Sequence, residues 1–239
     1  MKEFYKRYRP KTLGGVIGQD GAVASLTSLV NKGSIPHFLL LTGPSGVGKT
    51  TIARIMKDLL ECSDADFIEK NCADFKGIDT IREIRRHLNL SPLDGPCRIW
   101  MIDEAHKLTT DAQEAFLKML EDTPDYVYFI FATTDPEKLK PTIHTRATEI
   151  KLGELTDKDL IRVVTRVIDK EKLHVDEEVV KEIVDACQGS ARKALVILEQ
   201  VGSLEGKEAP IAAIRNTTFN KEEAIELARQ LMSTKPDWL

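Results

Sequence analysis

Short apolar runs alternate with stretches of helical periodicity through the first two thirds of the chain. Phe38–Thr42 is a compact apolar run ending at a glycine turn, which predicts a buried strand. Thr50–Leu60 follows with Ile52, Ile55, Met56, Leu59 and Leu60 on one helical face. Phe67–Glu69 is a short strand candidate. Gly77–Leu90 predicts an amphipathic helix, with Ile78, Ile81, Ile84 and Leu88 on one side and Arg82, Arg85 and Arg86 on another. Arg98–Ile102 and Tyr126–Ala132 predict further strands. The helix Leu108–Leu120 lies between them, with Ala112, Ala115, Phe116, Met119 and Leu120 inward, and Thr148–Leu152 is a last short strand. Strands and helices alternating at this spacing predict an α/β fold: a parallel sheet with helices on both faces.

After Leu152 the pattern changes. Asp157–Lys170, Asp176–Ala186 and Ala191–Val201 all have helical periodicity, and no strand candidate remains. Asp157 and Asp176 sit where N-caps belong, and Gly189 and Gly202 fall near breaks. Glu222–Met232 predicts a further helix, ending near Pro236. The expected organisation is an α/β domain over 1–152, a small all-helical domain over 153–209 and a further segment over 210–239.

Composition narrows the class. The 239 residues carry a net charge of −4, so any nucleic-acid-binding surface must be local. The opening stretch is basic, with Lys2, Lys6, Arg7, Arg9 and Lys11 close together; composition alone reads it as a solvated terminus. Cys62, Cys72, Cys97 and Cys187 are widely spaced and form no C-x-x-C pair, which predicts free thiols and no zinc. The N-terminus lacks the apolar core of a signal peptide, and the run Phe38–Leu41 is far too short to span a bilayer. The expectation is a soluble cytoplasmic protein with no membrane partner.

The chemistry begins at Gly43-Pro44-Ser45-Gly46-Val47-Gly48-Lys49-Thr50, which matches G-x-x-x-x-G-K-[ST] between a predicted strand and a predicted helix. Glycines let successive backbone N–H groups converge on phosphate oxygens, and the helix N-terminus adds positive potential. Ser45, Gly46, Val47, Gly48, Lys49, Thr50 and Thr51 are therefore the candidate ATP-binding stretch. Lys49 is expected to reach the β and γ phosphates, and the Thr50 hydroxyl to ligate Mg²⁺. The strand Arg98–Ile102 delivers Asp103 and Glu104 to its carboxyl end. Asp103 is the second candidate for the Mg²⁺ shell, and Glu104 the candidate to polarise the attacking water. His106 completes the letters DEAH, weak evidence by themselves. Thr133 and Thr134 end the next strand, where a hydroxyl could position water or simply cap the following turn.

Taken together these residues resemble the AAA+ ATPases, and within them the clamp-loader ATPase subunits. The resemblance rests on the P-loop, Asp103-Glu104, Ala132-Thr133-Thr134-Asp135-Pro136 and Thr145-Arg146. It is strengthened by Tyr8-Arg9-Pro10, Ile17-Gly18-Gln19 and Gly189-Ser190-Ala191-Arg192-Lys193-Ala194-Leu195. It covers about residues 4 to 202 in order. The resemblance implies an AAA+ domain followed by a helical lid. Tyr8, Arg9 and Ile17 would border the adenine, and Thr133 or Thr134 would be sensor 1. Arg192 on the lid would touch the phosphates. Arg146 would be an arginine finger serving a neighbouring subunit's ATP, a role that suits a multidentate donor. Asn71 matches the position of a polar switch that restrains the catalytic Glu. Lys76, Gly77, Ile78 and Arg82 occupy the stretch that would follow a DNA backbone without sequence preference.

The implied partners are other clamp-loader subunits in a homo- or hetero-oligomeric ring or spiral, a sliding clamp and primer–template DNA. The implied setting is the cytoplasm, nucleoid-associated, or host cytoplasm if viral. The pattern departs from the family in places. Thr145-Arg146-Ala147 replaces the usual Ser-Arg-Cys, the four-cysteine zinc module of bacterial tau/gamma subunits is absent, and residues 210–239 are too short for a full collar. Two alternatives remain: another AAA+ DNA motor, for branch migration or helicase loading, and a nucleotide-binding scaffold subunit with little turnover.

Overall fold

The structure is a computed structural model that describes residues 3–72, 77–204 and 206–216, with 77–80 described as backbone. Lys76 and the predicted helix Glu222–Met232 lie outside the described residues, as does most of the expected 210–239 segment. In chain order the elements are α1 (Phe4–Arg7), α2 (Asp20–Asn31), β1 (Phe38–Thr42), α3 (Lys49–Leu59), β2 (Phe67–Asn71), α4 (Gly77–His87) and β3 (Arg98–Asp103). There follow α5 (Thr110–Glu121), β4 (Val127–Thr133), α6 (Pro141–Arg146), β5 (Thr148–Lys151), α7 (Asp157–Glu171), α8 (Glu177–Cys187) and α9 (Ala191–Val201).

Two units result, Arg9–Glu154 and the combination of Met1–Tyr8 with Leu155–Leu239. In the first, a five-stranded sheet has the order β2-β3-β4-β1-β5, with every pair parallel. β1 is buried at every position and β4 at all but one, as expected of central strands covered on both faces. Strand periodicity sends Phe38, Leu40, Trp100, Ile102, Phe129 and Phe131 into a core shared with Ile81, Ile84, Phe116 and Ile143. Leu39, Leu41, Ile99, Met101 and Ile130 point the other way and are equally buried, as are Ile52, Ile55 and Met56 of α3, which contacts β3 and β4. Each such large apolar side chain contributes about 1.5–3 kcal/mol by leaving water.

A buried ion pair pins the start of β3. Arg98 (5% exposed) meets Asp66 (0% exposed) through Nη2–Oδ1 at 2.9 Å and Nε–Oδ1 at 3.2 Å. The guanidinium also donates to the carbonyls of His87, Leu90 and Ser91, and Asp66 accepts from the amides of Leu93 and Asp94 and from Ser63. Burial pushes the Asp66 carboxyl up, but the Asp94 and Leu93 amides, Arg98 and Ser63 outweigh it and hold it below the usual carboxylate range.

In the second unit α7, α8 and α9 pack on one another and α1 on α9. Leu160, Val164, Ile183, Val184, Leu198 and Val201 form part of its buried side. The expected 1–152 domain therefore differs at its start, because Glu3–Tyr8 group with the helical unit. Arg7 and Tyr8 bond to Glu171, and the Phe4 amide donates to Glu199 at 3.3 Å. The cap of α7 is Thr156, whose hydroxyl accepts from the Asp159 amide, one residue before the expected Asp157. Asp176 does occupy the N-cap of α8, without a side-chain cap bond. Helices α1 and α6 are too short to show a period, and α2 is long enough but buries only Ala22 and Leu26. Among the described residues no helix is long and apolar enough to cross a membrane.

Candidate nucleotide site

The site grows from the end of β1. Gly43 adopts φ +140°, and a Cβ there would stand 2.1 Å from the Leu152 carbonyl oxygen, so only glycine allows this approach. Gly46 and Gly48 also have positive φ, at 79° and 116°. Gly48 is the N-cap of α3; no side chain caps the helix and no acid lies in its first turn. The helix start therefore presents the positive end of its dipole, which favours an anionic ligand. Lys49, 8% exposed, donates to the Gly43 carbonyl at 2.6 Å and the Pro44 carbonyl at 2.7 Å, so its ammonium lies across the mouth of the loop. Val47 is buried; Ser45 is exposed; Gly46, Gly48, Thr50 and Thr51 are partly so.

Gln19 is a residue that the sequence reading quoted but gave no role. Its Nε2 donates to the carbonyls of Gly153, at 2.8 Å, and Val47, at 3.4 Å, and its Oε1 accepts from the Gly153 amide at 3.1 Å. It joins the middle of the P-loop to the segment after β5. Its cue was a lone amide among small residues, too common a pattern to single out. Ile17 and Arg9 belong to this unit and are partly buried.

Parallel pairing brings the other polar residues to the same edge. Thr42 is in register with Thr133, Ile102 with Phe131, and Asn71 with Asp103. Asp103 stands one strand away from β1, because β4 lies between them. Its Oδ1 accepts from the Glu104 amide at 2.9 Å. Glu104 sits in the left-handed region at φ 53°, a conformation that costs a non-glycine residue about 1–3 kcal/mol. His106 Nδ1 lies 3.4 Å from Glu104 Oε2 and 3.0 Å from Thr133 Oγ1.

The two threonines separate clearly. Thr133 is fully buried, with its hydroxyl against His106 and accepting from the Asp135 amide at 3.0 Å. Thr134 is exposed and, with Gly43, Pro44 and Lys151, lines a recess of about 450 Å³. Beside it Thr42 donates to Glu149 at 3.1 Å, and His144 Nδ1 lies 3.6 Å from the same carboxylate. Arg146 ends α6, where its guanidinium donates to the Leu117 carbonyl at 2.9 Å and Glu121 Oε1 at 2.8 Å.

Of the expected DNA-facing stretch, Gly77 opens α4, Ile78 follows it in the helix, and Arg82 is exposed with Arg85 and Arg86. In the helical unit Arg192 lies in the first turn of α9, its guanidinium carbon 5.7 Å from the Tyr5 ring centroid, and Tyr8 bonds Glu171. Among the described residues no group of three or more His, Cys, Asp or Glu could hold a metal. Thr50 and Asp103 fit a Mg²⁺ held mainly by phosphate and water, which does not need an all-protein cage. The four cysteines are buried, and burial pushes the Cys62 thiol up to about 12 and Cys72 to about 11, which makes these two poor nucleophiles and poor metal ligands.

Comparison with known proteins agrees with this geometry. The family model "DNA polymerase III, delta subunit" matches residues 63–156, and "Sigma-54 interaction domain" matches 16–80. The chain is 32% identical over 220 residues to the DNA polymerase III subunit gamma/tau of Mycobacterium bovis, covering 82% of this chain but only 38% of that protein. It is 33% identical over 208 residues to the replication factor C small subunit of Methanococcus maripaludis, covering 85% of this chain and 66% of that one. The fold is shared with the Thermotoga maritima RuvB Holliday junction branch migration motor at TM-score 0.68 and 24% identity, over 81% of this chain and 65% of that one. The DNA polymerase III subunit gamma of Buchnera aphidicola is 32% identical over 253 residues, 95% of this chain and 69% of the relative. With that match, and with the P-loop and Asp103-Glu104 on one sheet edge, the chain belongs to the clamp-loader family of AAA+ ATPase subunits.

Proposed function

We propose that this chain binds ATP and Mg²⁺ and hydrolyses the γ-phosphate bond within an assembly of clamp-loader subunits that opens a sliding clamp and places it on primer–template DNA. The observation that carries the reading is the shared sheet edge, where Lys49 follows β1, Asp103 ends β3, and Thr134 follows the strand between them. Membership of the family that contains DNA polymerase III gamma supplies the assembly.

Lys49 exchanges the Gly43 and Pro44 carbonyls for phosphate oxygens, and the amides of residues 45–51 cradle the rest of the phosphates. Thr50 and Asp103 would hold Mg²⁺, which when bound neutralises charge on the β and γ phosphates. Glu104 orients the attacking water and accepts its proton. Thr134, exposed at the recess, is the better candidate for sensor 1, since the Thr133 hydroxyl is already occupied. Tyr8, Arg9 and Ile17 border the adenine, and Arg192 reports phosphate from the lid. Asn71, in register with Asp103, is the polar switch beside the base. Lys76, Gly77, Ile78 and Arg82 remain the stretch proposed to bind the DNA backbone. Arg146 acts in a neighbour's site; its exposed pair with Glu121 is worth at most about 1 kcal/mol, and release also gives up the bond to the Leu117 carbonyl.

The test is ATP turnover by the chain assembled with partner subunits, with clamp and primed DNA added together. Stimulation by the combination is expected, and its absence sinks the clamp-loading reading. Mixing Arg146→Ala with Lys49→Ala protein is expected to restore part of the activity, because the Lys49→Ala subunit still donates its finger. No restoration under conditions where subunits associate removes Arg146 from the shared site.

A further inference from the structure

His106 carries an arrangement that the roles above leave unused. Its Nδ1 faces two oxygens at once, Thr133 Oγ1 at 3.0 Å and Glu104 Oε2 at 3.4 Å. Thr133 is fully buried on β4, and its hydroxyl already accepts from the Asp135 amide, so it cannot swing away to another partner. Glu104 sits in a left-handed backbone conformation and is partly exposed. One ring nitrogen carries at most one N–H donor in that direction. A proton on Nδ1 is hydrogen-bonded to Thr133 and attracts the Glu104 carboxylate from 3.4 Å, a charge contact and not a second hydrogen bond. Without it, Nδ1 accepts from Thr133 and presents a lone pair to the carboxylate, which repels it.

We propose that His106 is a positioning residue that ties the Glu104 carboxylate to the carboxyl end of β4. The tie couples the base to Thr134, the next residue of that segment, which lines the recess beside Gly43 and Pro44. Because Thr133 is fixed by burial and by the Asp135 amide, the imidazole gives the Glu104 carboxylate a constant reference against the carboxyl end of β4. The inference rests on the reading of Glu104 as the base, and adds the device that aims it. A plainer role exists: His106 fills space beneath the turn at Ala105–Lys107, where its side chain is 11% exposed.

Two substitutions separate these roles. His106→Phe keeps a ring of similar size and removes Nδ1, whereas His106→Asn is smaller but returns an amide N–H near the Nδ1 position. Each is compared with wild type in the assembled complex for Kd of ATP, kcat, KM and Tm. A positioning role predicts that Phe lowers kcat by about 10–100-fold with Kd within about two-fold, and that Asn recovers at least about ten-fold of that loss. Equal loss in Phe and Asn, tracking Tm, overturns the proposal in favour of a space-filling role; so does an unchanged kcat in Phe. A readout independent of turnover is the ¹⁵N resonance of the His106 imidazole, expected to move in Glu104→Gln and in Thr133→Val. Resonances unmoved in both variants also overturn it. If wild-type complex hydrolyses no ATP, the ATPase reading fails first, and the imidazole resonances still decide whether the tie exists.

Discussion

The two ends of β3 are built on opposite principles. At the amino end Arg98 and Asp66 are almost fully buried, and each is surrounded by backbone partners: carbonyls of His87, Leu90 and Ser91 on one side, amides of Leu93 and Asp94 on the other. At the carboxyl end, one strand length away, Asp103 and Glu104 are partly exposed, and Glu104 sits in a conformation that costs energy. Saturated partners make the first end a fixed anchor. Open oxygens make the second available to a nucleotide and its ion. The same strand thus spends one end on rigidity and the other on chemistry, and the anchor lets the chemical end be strained without unfolding.

The largest effect that tests this contrast is at the open end. Glu104→Gln keeps size and removes the basic oxygen, so turnover in the assembled complex is expected to fall by about 10²–10⁴-fold with ATP binding kept. Unchanged turnover would revive the scaffold-subunit reading. At the closed end Asp66→Ala leaves a buried guanidinium without its charge partner, and is expected to cost about 3–5 kcal/mol in urea unfolding. Asp66→Leu with Arg98→Met, which removes both charges, should recover most of that loss. If the double variant is no better than Asp66→Ala, the anchor depends on the carbonyls and amides more than on the ion pair.

The same anchor sets an acid limit. The folded-state pKa of Asp66 is depressed, so its contribution is present above the unfolded value of about 3.9 and is lost as pH falls through the folded value. Asp66→Leu/Arg98→Met should show a flatter stability curve below about pH 4. The smallest effect expected lies outside the sheet: Thr156→Ala removes the cap of α7, costs about 1 kcal/mol in unfolding, and leaves the β3 contrast untouched.

Much of this was legible in sequence, and the legible parts share a cause. The predicted strand Phe38–Thr42 is β1 residue for residue, and the other predicted strands lie within a few residues of those observed. These runs are continuous because both sheet faces are covered. The P-loop was legible because its glycines and Lys49 must be adjacent in the chain to make one concavity. Illegible were α2, whose buried side amounts to Ala22 and Leu26, and α1, whose residues belong with α9 across most of the chain. Gln19 and His106 were quoted without a role, because their value lies in partners 134 and 27 residues away.

By itself the sequence determined that this chain has a buried parallel sheet, a phosphate-binding loop and an acidic strand end, since each is a local pattern of spacing and polarity. Only the tertiary structure decided that β4 stands between β1 and β3, that Thr134 and not Thr133 is open to the P-loop, and that His106 is the residue against Glu104. Strand order, exposure and side-chain contact depend on which distant segments are brought together by crossover connections. No window of sequence contains both partners of such a contact, so none could have fixed it.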